Sequence, residues 1–320
     1  MKKIFCICIS LLTNTLFAQS NENQIDSLSK IFTCDNCDLE LFTQRLVQPY
    51  SNPQDKARAI FAWIGTHIRY DYVKFMHGDK NFTVVSSSPE GIAEQITERE
   101  EVIIPNMIFK SRKGICGEYS FLYKKMCTIA GVECVVINGL AKHISKRINN
   151  LGHAWNAIRI QNKWYLIDAT WGAGYVEHET FHRAYSHGFF MVKPSLFILN
   201  HLPNDEKWQL LDAPLSKQTF KRQPWLNYGQ KLFPIEDAQP LDKALVKEGK
   251  FVQIRLKFKD KVPFIHVFSD DHQPITHQET QKDGYTIITI MPNNHDEILI
   301  YASKSKQSHL FEGLAKFYID

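Results

Sequence analysis

An α+β region followed by an all-β module is the architecture this sequence predicts, and three observations predict it. Apolar residues recur at helical spacing in two stretches, from Ala57 to Ile68 and over residues 116–130. After the second, two short runs of alternating polarity, residues 153–160 and 163–168, flank a polar pair. Near residue 250 the pattern becomes strict alternation, with Val252, Ile254, Leu256 and Phe258 set against Gln253, Arg255 and Lys257. A chain of 320 residues exceeds the ~150 typical of one domain, so two are expected. They fall at 19–211 and 212–320, after a leader over residues 1–18.

The leader reads as a secretory signal. Lys2 and Lys3 charge its start, residues 4–12 form an apolar run, and Leu16-Phe17-Ala18 offers a cleavage site before Gln19. The product is expected to be exported, periplasmic or secreted. A bilayer span needs ~20 apolar residues, and no later stretch approaches that, so no span is expected once the signal is removed. Residues 21–50 are polar and helical in tendency, with Leu39, Phe42 and Leu46 as the apolar stripe of a docking helix. Asn52 as cap and Pro53 in the first position start a firmer helix, whose core face is Ala57, Ile60, Phe61, Ile64 and Ile68. Residues 74–106, with Ser86-Ser87-Ser88-Pro89 and the charged run 98–101, read as an excursion that roofs part of a cleft. Gly114 is expected to let the chain turn sharply into the helix over 116–130, which Gly131 ends.

Residues 133–138 then read as a strand, and 141–151 as a polar loop. Its Lys142, His143, Lys146 and Arg147 are expected to form a solvated face, with a grip on a substrate carboxylate as the alternative. The hairpin over 153–168 turns at Gln161-Asn162. Beyond residue 212, strands at 252–258, 264–268, 285–291, 297–302 and 314–319 are separated by Pro, Asn, Asp and Gly, and together they read as a small sandwich.

Chemistry concentrates in three stretches taken in order: Gly114-Ile115-Cys116-Gly117-Glu118-Tyr119-Ser120, then His153-Ala154-Trp155-Asn156, then Trp164-Tyr165-Leu166-Ile167-Asp168. A thiol attacks an amide only with a base beside it, and the base works best when a carboxylate orients it. Cys116 opens a helix, where backbone N–H dipoles favour a thiolate. His153 and Asp168 lie on neighbouring strands of one hairpin. A nucleophile, a base and an orienter are thus supplied by helix, strand and strand. One oxyanion donor is the backbone N–H of Cys116; the second is unassigned, with Tyr70 and Asn106 as candidates. Glu118 reads as a first-turn acid favoured by the helix dipole, with a role near the sulfur as the alternative. Trp155 and Trp171 read equally as cleft walls or as core packing, and Asn156 is the nearest polar alternative to Asp168 as orienter.

These stretches resemble the transglutaminase-core superfamily. The matched runs are Gly-Ile-Cys with Tyr119 three residues on, His-Ala-Trp-Asn, and Trp-Tyr-Leu-Ile-Asp-Ala-Thr-Trp-Gly-Ala-Gly-Tyr. Further matches are Trp63-Ile64, Ile68-Arg69-Tyr70-Asp71, Phe189-Phe190-Met191, Phe197-Ile198, His201-Leu202-Pro203 and Trp208-Gln209-Leu210-Leu211. They look like the secreted bacterial, kyphoscoliosis-peptidase-like branch and extend over roughly residues 50–211. The resemblance implies a papain-like fold, with Cys116 as nucleophile, His153 as general base and acid, and Asp168 as the group that orients the imidazole. It implies acyl transfer or hydrolysis at peptide or protein amides through a thioester, without a cofactor.

Two other readings stay open beside it. One is a binding or scaffold protein that keeps the fold without turnover. The other is arylamine acetyl transfer, which uses the same triad but lacks a visible coenzyme A pocket. The net charge of +4 falls to +2 without Lys2 and Lys3, which is no electrostatic footprint for nucleic acid. Of seven cysteines, Cys6 and Cys8 leave with the signal. Cys34 and Cys37 read as a small oxidised loop, with half of a metal site as the alternative, and Cys127 and Cys134 as buried core thiols, with a bridge as the alternative. Glu177, His178, His182 and His187 crowd one loop, but they read as surface, and no metal is assigned.

Overall fold

A computed structural model describes residues 22–77, 99–143, 152–229, 232–241, 243–247, 249–260, 263–292, 294–308 and 310–320. The signal-peptide expectation, Lys146, Arg147 and most of the 74–106 excursion lie outside the described residues. No described helix is long and apolar enough to cross a membrane. The chain divides into two compact units that interleave in sequence: residues 1–136 with 154–190, and residues 137–153 with 191–320.

The first unit is built on helices. Helix α1 covers residues 22–31, α2 is Leu39–Val47 and α3 is Pro53–His67. Asn52 caps α3 through its side chain, with Pro53 at its start as the sequence predicts. The docking region consists of two helices, and α1 is held by charge as well as by apolar contact. Buried Arg58 of α3 makes a two-pronged pair with buried Asp26, at 2.9 and 3.1 Å. Strand β1 (Arg69–Tyr70) pairs in parallel with β2 (Lys113–Gly114). Between them lie α4 (Tyr72–His77) and α5 (Ile104–Ser111).

Helix α6, Cys116–Ile129, follows β2 and ends at Ala130, before Gly131 at φ +74°. It packs on α2, α3 and α5. Its buried tyrosines serve as anchors on α3: the Tyr123 hydroxyl donates to Ala57 O at 3.2 Å and the Tyr119 hydroxyl to Ile68 O at 2.8 Å. Strand β3 is Glu133–Ala141, longer than expected, β4 is Gly152–Ile160 and β5 is Lys163–Ile167. The β4–β5 register runs from Asn156↔Ile167 to Ile160↔Lys163. Gln161 and Asn162 close the hairpin at φ +49° and +63°, a two-residue turn that Asn tolerates well. Helix α7 (Ala169–Ala173) and the β6 (Gly174–Glu177) to β7 (Thr180–Arg183) hairpin complete this unit.

In the second unit, α8 (Pro194–Phe197) leads to β8 (His201–Pro203), which pairs with residues 139–141 of β3. Helix α9 (Lys217–Arg222) and β9 (Trp225–Leu226) lead into the sandwich. Its strands are β10 (Ile235–Gln239), β11 (Val252–Phe258), β12 (Phe264–Ser269), β13 (His277–Lys282), β14 (Tyr285–Ile290), β15 (Glu297–Ser303) and β16 (Glu312–Tyr318). They form two four-stranded sheets, β10-β11-β14-β13 and β12-β15-β16-β9, antiparallel throughout. The inner faces meet in one core that includes Val252, Ile254, Leu256, Ile288, Ile298, Ile300 and Phe317.

Lys142 departs from the solvated face expected of it. The side chain is fully buried, and its ammonium donates to the carbonyls of Phe220 and Gln223 at 2.7 Å each and of Pro224 at 3.3 Å. Those carbonyls belong to the last turn of α9 and the residues beyond it, the negative end of a helix. A cation at the end of a strand has been recruited to cap it.

Candidate active site

Cys116 is the first residue of α6 and is half-buried. The residue before it, Ile115, has no side chain able to cap. Glu118 supplies the missing half, its Oε2 accepting the Ile115 N–H at 2.9 Å. Glu118 is itself buried and paired with the Lys74 ammonium. Its place is therefore in the helix start, and Lys74 balances its charge. Gly114 does its work by close approach instead of by a sharp turn. It sits in β2, and a Cβ there would lie 2.8 Å from Ile108 Cδ1 and 3.1 Å from Glu118 Oε2.

Cys116 is the one accessible thiol among the described residues. Cys127 and Cys134 are free and buried, as expected. Burial drives the Cys134 thiol well above its ordinary value. Cys34 and Cys37 form the anticipated disulfide, their Cα atoms 5.7 Å apart.

Asp168 follows β5 and is completely buried. It is the N-cap of α7: Oδ1 accepts the N–H groups of Thr170 and Trp171, both at 2.9 Å. An aspartate just before a short helical run is a cap signal, and here the strand that runs directly into it hides it. Helix α7 packs against both α3 and α6, so the helix that Asp168 caps lies against the helix that Cys116 opens.

Tyr70 joins them. It pairs with Gly114, two residues ahead of Cys116. Burial first, then the charges of Cys116, Tyr119, Asp168 and Glu118, push its phenol above the ordinary range. The Tyr70 hydroxyl therefore keeps its proton within electrostatic reach of Cys116 and Asp168. Asn106, the other oxyanion candidate, spends its amide on Val102 O at 2.8 Å.

Asn156 has other duties than orienting an imidazole. Fully buried on β4, it donates to Ser120 O at 3.1 Å and Val135 O at 3.0 Å, tying α6 to β3. Trp155 is core, and Trp171 meets Phe189 edge-on at 5.8 Å. Glu177, His178, His182 and His187 lie on and after the β6–β7 hairpin. Among the described residues they form no ligand cluster. An exposed group that could hold a cation, Asp270, Asp271 and His295, lies on the sandwich.

His153 is the second residue of β4. Its ring centroid is 5.5 Å from that of His201, with the planes tilted by 38°. His201 carried no chemical assignment in the sequence, since only folding brings β8 to this neighbourhood.

Comparison with known proteins fits these arrangements. Residues 38–185 match the family model of a transglutaminase-like domain. The chain is 31% identical over 183 residues to mouse kyphoscoliosis peptidase, covering 55% of this chain and 25% of that one. It is 30% identical over 190 residues to the human protein, covering 57% and 26%. It therefore spans about a quarter of the length of these relatives. A crystal structure of a TGase shares 17% identity at a TM-score of 0.30, covering 53% of this chain and 36% of that one, too slight a likeness to weigh. Residues 38–185 are thus similar to a transglutaminase-like domain, and the chain is similar over 183 residues to mouse kyphoscoliosis peptidase.

Proposed function

We propose that this protein is an exported cysteine acyl-transfer enzyme acting on peptide or protein amides, with Cys116, His153 and Asp168 as its triad. The observation that carries this reading is the placement of Cys116: an accessible thiol at the first position of a helix, in a chain whose other described cysteines are buried or oxidised. His153 takes the thiol proton, and the sulfur attacks the amide carbonyl, forming a C–S bond. The Cys116 N–H, in the first turn where no intrahelical acceptor exists, stabilises the oxyanion. The C–N bond then breaks as the imidazolium returns its proton to the leaving amine. Water or a second amine, deprotonated by the same imidazole, attacks the thioester and releases the thiol. Asp168 orients the imidazole, and its place at the N-cap holds the carboxylate rigid. Tyr70 is the better of the two candidates for the second oxyanion donor, because the Asn106 amide is committed elsewhere.

The test is a screen with casein and a fluorescent primary amine, comparing wild type with Cys116→Ala. Peptide release marks a protease and amine incorporation a transglutaminase. Both should vanish in the variant. Retention of a partner equally by wild type and Cys116→Ala, with no turnover by either, would establish the scaffold reading instead. N-terminal sequencing of protein recovered outside the cytoplasm, expected to begin at Gln19, tests export.

A further inference from the structure

We propose that His201 is a positioning residue for His153, and that Tyr228 locks it in that role. The inference rests on the assignment of His153 as the general base and extends the machinery to a second imidazole. The ring of His201 is fully buried. Phe197 stacks on it with centroids 4.0 Å apart and planes 21° from parallel. The Tyr228 hydroxyl lies 3.3 Å from its Nδ1. A side chain held by stacking and by a hydrogen bond has one orientation available. A ring nitrogen of His201 and one of His153 lie within 4.8 Å of each other.

A general base contributes only while its nitrogen points at the proton it must take. His153 stands at the second position of β4, and a strand end frays more readily than its middle. A rigid imidazole beside it restricts the rotations available to its ring, much as outer partners fix the rings of metal-ligating histidines. The fixture comes from three separate segments. Phe197 ends α8, His201 opens β8, and Tyr228 follows β9.

The experiment measures carbamidomethylation of Cys116 by iodoacetamide in the full-length chain, followed by intact mass at neutral pH, and it requires no substrate. Thermal melting shows that each variant is folded. His153→Ala sets the reference loss. Tyr228→Phe, which removes only the hydroxyl, is expected to slow alkylation about five-fold, the worth of one hydrogen bond. His201→Ala should slow it at least as much, while His201→Gln, which keeps a planar group able to meet Tyr228, should recover part of the rate. If His153→Ala slows the reaction while Tyr228→Phe and His201→Ala stay within about two-fold of wild type, the positioning role is overturned and the base assignment stands. If His153→Ala itself has no effect, the base assignment fails, and the positioning role fails with it. Should the His201 variants not fold, Tyr228→Phe alone decides.

Discussion

At the scale of single residues, the side chains proposed for the chemistry also serve structure. Asp168 is the clearest case, because its cap function offers a way to separate the two. Asn is as good an N-cap as Asp, so Asp168→Asn should melt near wild type yet lose turnover by about 10⁴, the cost seen when a triad's orienting acid loses its charge. Asp168→Ala should lose the activity and also about 1 kcal/mol of stability. If Asp168→Asn retains turnover, the orienter is some other group. The Asn156 amide, turned toward two carbonyls, makes the opposite prediction. Asn156→Asp would bury a carboxylate against Ser120 O and Val135 O, at about 3 kcal/mol or more, read as a lower urea midpoint. Sequence showed Asn156 only as a polar residue near His153. Which groups it meets depends on α6 and β3 arriving from 20 to 40 residues away, as the Ser120 and Val135 separations of 36 and 21 show.

Elements were legible wherever burial imposed a period. Strand β11 spans Val252–Phe258 and alternates buried with less buried positions along its length, because one face meets the core and the other meets water. The turn at Gln161-Asn162 was readable from residue type alone. By contrast β13, His-Gln-Glu-Thr-Gln-Lys, lies almost wholly exposed at the edge of its sheet and carries no apolar period to read. Polar, charged edges are how sheets avoid pairing with strangers. The same strand carries a pH effect. His277 hydrogen-bonds Glu279 at 3.2 Å, and that bond raises its pKa above the ordinary histidine value. Its contribution to stability is therefore complete below about pH 6.5 and declines as pH rises through the raised folded value. His266, whose pKa burial first and His277 second depress, acts the other way, losing stability as pH falls from about 6.5. Glu279→Gln should flatten the alkaline decline in urea midpoint and, because the Glu279 charge also holds the His266 pKa up, steepen the acidic one. A variant whose alkaline slope matches wild type would show that the pair contributes nothing.

For the whole molecule, the sandwich has strands and a core of its own, and residues 212–320 are proposed to fold as a separable module. A chain ended at residue 211 fares worse. It strips Lys142 of the Phe220, Gln223 and Pro224 carbonyls and of the Phe220 and Tyr318 rings that cover its ammonium. That piece should melt well below the intact protein. Lys142→Met should lower the melting temperature of the full chain, where it leaves three carbonyls without their donor, and change the shortened chain less. Equal effects in both would refute the capping role. The interleaving of the units also has a consequence for synthesis. Residues 137–153 leave the ribosome early, yet they belong with strands as late as Glu312–Tyr318. At ordinary elongation rates that wait is on the order of ten seconds. Within it the end of β3 gains its β8 partner only when residues 201–203 emerge, and Lys142 its carbonyl acceptors only when residues 220–224 do, so a chain released before residue 201 would carry an open strand edge and neither set of bonds.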